Sequence, residues 1–131
     1  MPTKSRLRTI TKRPRDHRPL VSSRLPREAP PVHPGEMLLE EFLKPLGISQ
    51  SAFAIRLGVS FPRLNEIVLA KRGVTADTAL RLARVTGMSA EFWMGLQLDW
   101  DLWHALRSEA AARIATLEPI HRAGGTIPRR G

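Results

Sequence analysis

A chain of 131 residues with 21 Lys and Arg against 12 Asp and Glu, and neither cysteine nor tyrosine, is long enough for one compact domain with tails. The missing cysteines exclude a disulfide framework, thiolate metal sites and a cysteine nucleophile, and they fit a reducing, cytoplasmic setting. No apolar run approaches bilayer length and no secretory h-region is present, so no membrane role is expected.

The formal net charge of +9 is unevenly placed. Residues 1–32 hold nine basic and two acidic side chains, and residues 118–131 hold three and one. Residues 33–117 hold nine of each. If the middle of the chain binds a polyanion, it must do so with a local patch rather than with bulk charge.

Residues 1–32 scatter Pro14, Pro19 and Pro26 among arginines, with few large apolar side chains and no stable period. They read as a disordered basic arm. Such an arm could track phosphates or enter a minor groove. It could equally be a solvated tail, the product of an upstream start codon, or a transit peptide, although the prolines interrupt any amphipathic helix.

Val32-His33-Pro34-Gly35-Glu36 leads into a first helix, about Pro34 to Leu43. Proline suits the first turn, Glu36, Glu40 and Glu41 favour the positive end of the dipole, and Pro45 is expected to end the helix. His33 reads as an exposed residue where this helix begins. His17, His104 and His121 stand at no ligand spacing from it, so neither a metal nor a cofactor is expected.

Ser49 to Arg72, SQSAFAIRLGVSFPRLNEIVLAKR, is the stretch around which the rest is organised. Ser49 and Ser60 are good N-caps, each preceded by an apolar residue that can staple across the first turn, and Gly58 supplies a left-handed stop between them. Phe53, Leu57, Val59, Leu64 and Ile67 would form the inner seam over a short turn suited to a steep crossing. The pattern reads as a helix-turn-helix, with an ordinary helical hairpin as the alternative.

Thr75 then caps a fourth helix to about Thr86, ended by Gly87, with Ala76, Ala79, Leu80 and Ala83 as its apolar stripe and Arg81 and Arg84 turned to solvent. Ser89 caps a longer segment to about Leu117, with a break expected near Asp99. Its three tryptophans, Trp93, Trp100 and Trp103, are more than four short helices easily cover. They are expected to meet a second subunit, the alternative being closure of the monomer's core. Beyond Leu117, Pro119, Gly124, Gly125 and Pro128 mark a flexible basic tail, residues 118–131.

With Leu64, Ile67 and Val68 inward, the third helix would present Phe61, Pro62, Arg63, Asn65 and Glu66. Arg63 could pair with guanine, or failing that a phosphate. Asn65 could pair with adenine, and Phe61 could touch a thymine methyl. Gln50 and Ser51 would clamp a phosphate at a helix N-terminus, with Ser60, Lys71 and Arg72 completing the surface. Paired in a dimer, two such helices imply an inverted-repeat operator on double-stranded DNA.

HPGE at 33–36, EEFLKPLGISQ at 40–50, LNEIV at 64–68, KRGVTADTALRLA at 71–83 and EFWMGLQ at 91–97 together resemble the HigA antitoxins, the VapI-type group of the lambda-repressor-like (XRE) helix-turn-helix family. The resemblance covers about His33 to Trp103. It implies an all-α, five-helix domain, a homodimer, neutralisation of a HigB/RelE-like ribonuclease toxin, and repression of its own operon with the toxin as co-repressor. Two positions depart from the family: Leu69-Ala70 stand where Asn-Gly is common, and Phe61-Pro62 where the third helix usually begins with small or polar residues. A stand-alone XRE-type repressor and a protein-interaction module without DNA binding are the competing readings. An enzyme is not expected, because no nucleophile, phosphate loop or metal spacing is present.

Overall fold

The computed structural model describes residues 29–120; the disorder expected of the basic tails falls largely on residues 1–28 and 121–131, outside the described residues. Six helices and no strand occur among the described residues. Helix α1 covers residues 34–46, α2 Gln50–Leu57, α3 Phe61–Val68, α4 Ala76–Thr86, α5 Ala90–Leu106 and α6 Ala110–Ala115. None of them is long and apolar enough to cross a membrane.

The serine and threonine caps form as the sequence leads one to expect. Ser49 Oγ accepts from Ala52 N at 3.1 Å, Ser60 from Arg63 N at 3.2 Å, Thr75 from Thr78 N at 3.3 Å and Ser89 from Phe92 N at 3.0 Å. Each satisfies one donor that a helix start leaves orphaned. Pro45 behaves differently from expectation, for α1 passes through it. The α-helical turn Pro34–Leu38 widens to a π turn over Leu39–Leu43 before Lys44–Leu46 resumes, and Gly47 at φ 65° ends the helix. Lys44 N reaches back five residues to Leu39 O. The wide turn shifts the carbonyls that a proline ring would otherwise strike, so the missing N–H is absorbed instead of breaking the helix. The break expected near Asp99 is also absent. Helix α5 continues to Leu106, where Arg107 N and Ser108 N fold back on His104 O and Ala105 O at 3.1 Å each.

Leu38, Leu43, Phe53, Leu57, Leu64, Ile67, Leu82 and Trp93 form the core. Trp93 is fully buried, edge-on to Phe92 at 5.2 Å, and its indole N–H donates to Thr86 Oγ1 at 3.3 Å. The expectation that Trp93 meets a second subunit is therefore corrected, since this ring is the protomer's own core. Helix α4 is rotated from its expected stripe. Thr78, Ala79 and Leu82 face inward and Leu80 is 65% exposed. A threonine is tolerated inside because its hydroxyl finds a partner there, described below.

His33 is likewise corrected. It is 2% exposed, its Nδ1 accepts from Gly35 N at 2.9 Å to cap α1, and its ring stands edge-on to Trp100 at 4.9 Å. Burial lowers its pKa below the ordinary histidine value, against the opposing pull of Asp101, and an accepting Nδ1 suits that neutral form.

The loop after α3 is held by Gln97 of α5, whose Oε1 accepts from Val74 N at 2.8 Å and whose amide donates to Asp101 at 3.0 Å. Within this loop Ala70 sits at φ 63°, a left-handed conformation that costs an L-residue with a Cβ about 1–2 kcal/mol. Ala70→Gly is expected to raise stability by about 0.5–1 kcal/mol, the relief of strain being offset in part by the greater freedom of the unfolded chain. A higher urea midpoint at unchanged slope is the measurement that checks this.

Candidate nucleic-acid interface

Helices α2 and α3 pack as the expected helix-turn-helix, with Leu64, Ile67 and Val68 buried on the inner side of α3. Asn65 of α3 and Gln50 of α2 are drawn together. Asn65 Nδ2 donates to Gln50 Oε1 at 3.0 Å. That bond uses one amide hydrogen of Asn65 and the carbonyl of Gln50, leaving Asn65 Oδ1 and the Gln50 amide hydrogens to face a partner. The neighbouring Glu66 is also occupied, by Arg72 from the loop beyond α3, whose Nε lies 2.8 Å from Glu66 Oε1. Lys71 N and Arg72 N both donate to the Glu66 backbone carbonyl, at 2.8 and 3.2 Å, so the basic turn is folded back onto the end of α3.

The Gln50–Asn65 pair and the basic turn are thus separate contacts, made by the neighbouring α3 residues Asn65 and Glu66. Ser51 is exposed beside Gln50, and Phe61 is 46% exposed in the first turn of α3. Ser60 is exposed too, but its hydroxyl is engaged in capping.

Arg63 takes another direction. Its Nη2 donates to the buried Thr78 Oγ1 at 2.7 Å and lies 3.5 Å from Asp77 Oδ2, so the guanidinium expected to reach a base is docked on the start of α4. Asp77 is shared with Arg81, whose Nε is 2.9 Å away. Arg81 Nη1 in turn donates to Leu57 O at 3.0 Å and Gly58 O at 3.3 Å, closing the end of α2. The hydrogen bond from Arg81, helped by both guanidinium charges, holds the Asp77 carboxyl below the usual carboxylate range. Arg81, expected in solvent, and Thr78, absent from the expected stripe, are the residues that sequence reasoning missed. The i, i+4 spacing of Asp77 and Arg81 is a legible signal for one bond of this network. No cluster of three or more His, Cys, Asp or Glu that could hold a metal occurs among the described residues.

What the arrangement offers is a surface of amide and cationic groups on the exposed side of a capped helix, braced from behind by an arginine network. Amides paired in this way suit base edges, and a basic turn suits phosphates. Residues 39–93 match the family described as helix-turn-helix. The chain is 49% identical over 87 residues to virulence-associated protein I of Dichelobacter nodosus, covering 66% of this chain and 81% of that protein. It is 42% identical over 74 residues to antitoxin HigA-1 of Vibrio cholerae serotype O1, covering 56% of this chain and 69% of that protein. A solved structure described as Pseudomonas aeruginosa antitoxin HigA with higBA promoter superposes with a TM-score of 0.64 at 43% identity, covering 69% of this chain and 98% of that one. The family is one of DNA-binding regulators and antitoxins, not of enzymes. The chain belongs to the HigA/VapI-type antitoxins of the lambda-repressor-like (XRE) helix-turn-helix family.

Proposed function

We propose that this chain is a cytoplasmic antitoxin that binds an inverted-repeat operator in double-stranded DNA as a homodimer, neutralises a HigB/RelE-like ribonuclease toxin and represses its own operon. The observation that carries the DNA reading is the Gln50–Asn65 amide pair across α2 and α3, with the Lys71-Arg72 turn folded onto the neighbouring Glu66. In this reading the amide pair meets base edges and the basic turn meets phosphates. The names of the relatives support the antitoxin reading, one of them being a HigA antitoxin solved with its promoter. Met94 and Leu98, exposed one turn apart on α5, supply apolar surface for a second copy.

The test is titration of the gene's own promoter fragment and of a random duplex of equal length. Asn65→Ala is expected to weaken promoter binding by about 1–3 kcal/mol, roughly five- to 150-fold, with a smaller effect on random DNA. Equal affinity of the unsubstituted protein for both duplexes would end the reading. Capture of the neighbouring gene's product by the chain separates an antitoxin from a stand-alone repressor.

A further inference from the structure

We propose that Leu69, at the C-terminal end of α3, is a specificity-determining residue that reads the 5-methyl group of a thymine, so that each operator half-site carries an A·T pair within about two steps of the base met by Asn65. The inference rests on the DNA-binding reading above and deepens it, from operator binding to the base chemistry that the operator must present.

Placement is the first ground. Leu69 N donates to Asn65 O at 3.0 Å, so Leu69 stands one helical turn beyond Asn65 on the same side of α3. Leu64, Ile67 and Val68 face the core, whereas Leu69 is 53% exposed. The chain turns back directly after it. Ala70 N donates to Ile67 O from a left-handed conformation, and Lys71 N returns to Glu66 O. Leu69 therefore stands in sequence and in space between the amide that would read a base and the basic turn that would hold phosphates. Four helical residues rise about 6 Å, against about 3.4 Å for a base-pair step, which puts Leu69 about one or two pairs from the base at Asn65.

Chemistry is the second ground. The charged groups of α3 are committed elsewhere. Arg63, the only cation in the helix, donates to Thr78 and lies against Asp77, and Glu66 accepts from Arg72. What remains to meet base edges is the Gln50–Asn65 amide pair, with exposed apolar side chains one turn to either side of Asn65, Phe61 before it and Leu69 after it. A guanine edge offers the O6 and N7 acceptors that Arg or Lys meets best, and cytosine an N4 donor that a carboxylate meets best. Leucine can answer neither. The apolar group on a major-groove edge is the thymine methyl, and packing it against Leu69 takes apolar surface of both out of water.

The test keeps the full chain and uses the gene's own promoter fragment with its thymines replaced by deoxyuridine, position by position. That exchange deletes the methyl and leaves the hydrogen-bonding edge intact. The unsubstituted protein is expected to lose about three- to tenfold in affinity at about one or two positions of each half-site. Leu69→Ala should show a similar loss on the normal promoter and should no longer distinguish thymine from deoxyuridine at those positions. Its urea midpoint should be unchanged, because an exposed side chain contributes little to stability. Phe61→Ala is the control and should leave the sensitivity at those positions in place. Indifference to deoxyuridine throughout the promoter, or a Leu69→Ala chain that senses the same methyls as the unsubstituted protein, would overturn the inference while operator binding stands. Equal affinity of the unsubstituted protein for promoter and random duplex would overturn it together with the operator reading.

Discussion

Gly35→Ala is expected to destabilise the fold by about 3 kcal/mol or more, at the upper end of what overpacking does. A Cβ at this position would lie 2.6 Å from the carbonyl carbon of Ile67 and 2.8 Å from Val68 Cα, and closer still to the Ile67 carbonyl oxygen. All three are backbone atoms, so no rotamer change relieves the clash. Either α1 withdraws from α3, opening the contact around the fully buried Leu38, Leu64 and Ile67, or α3 shifts and takes Asn65 and the basic turn with it. Gly95 is the control. It lies inside α5, and a methyl group added there would meet nothing within 4 Å beyond the adjoining backbone of its own helix and its chain neighbours, so Gly95→Ala is expected to stabilise by about 1 kcal/mol through helix propensity alone. The same chemical change should thus move the urea midpoint in opposite directions at the two sites. A Gly35→Ala midpoint close to that of the unsubstituted chain would mean that α1 and α3 are not in backbone contact in solution.

The contrast marks where the sequence is legible. Caps and stops are local: a serine three residues before the donor it meets, or a glycine after the last apolar position, carries its own geometry. Hence the boundaries of α2, α3 and α4 can be read directly. The HPGE segment can be recognised as a family mark, but why its glycine must be small cannot, because Ile67 belongs to a different helix far along the chain. Arg63 misleads for the same reason. On a helical wheel it faces outward, and only the approach of α4 shows that Thr78 and Asp77 take the guanidinium first. The expected stripe of α4 is misplaced because a buried threonine looks polar until its partner is in view. His33 looks exposed because nothing nearby in sequence signals Trp100. Side-chain partners across helices are set by tertiary packing, which local period and propensity do not encode. Gln50 and Asn65 can each be singled out from the sequence, but their mutual hydrogen bond cannot, and it follows only once the helix-turn-helix packs α2 on α3.

Trp93 and Trp103 should respond differently to substitution. Trp93→Ala removes a fully buried ring packed by Phe92 and Phe42, and is expected to cost about 3–5 kcal/mol whatever the protein concentration. Trp103 is only partly buried; Arg107 covers its face at 3.7 Å, a contact worth about 0.5–1 kcal/mol at such a site. Its indole N–H is closed to solvent and finds no acceptor among the described residues, an unusual state for a buried donor. Trp103→Ala is therefore expected to lower the urea midpoint mainly by weakening self-association, so that the loss grows as the protein is diluted. Sedimentation at two concentrations gives the independent readout. A Trp103→Ala chain that unfolds equally at every concentration, or one that stays dimeric, would place this ring in the monomer's core and leave the exposed Met94 and Leu98 as the remaining surface for a partner.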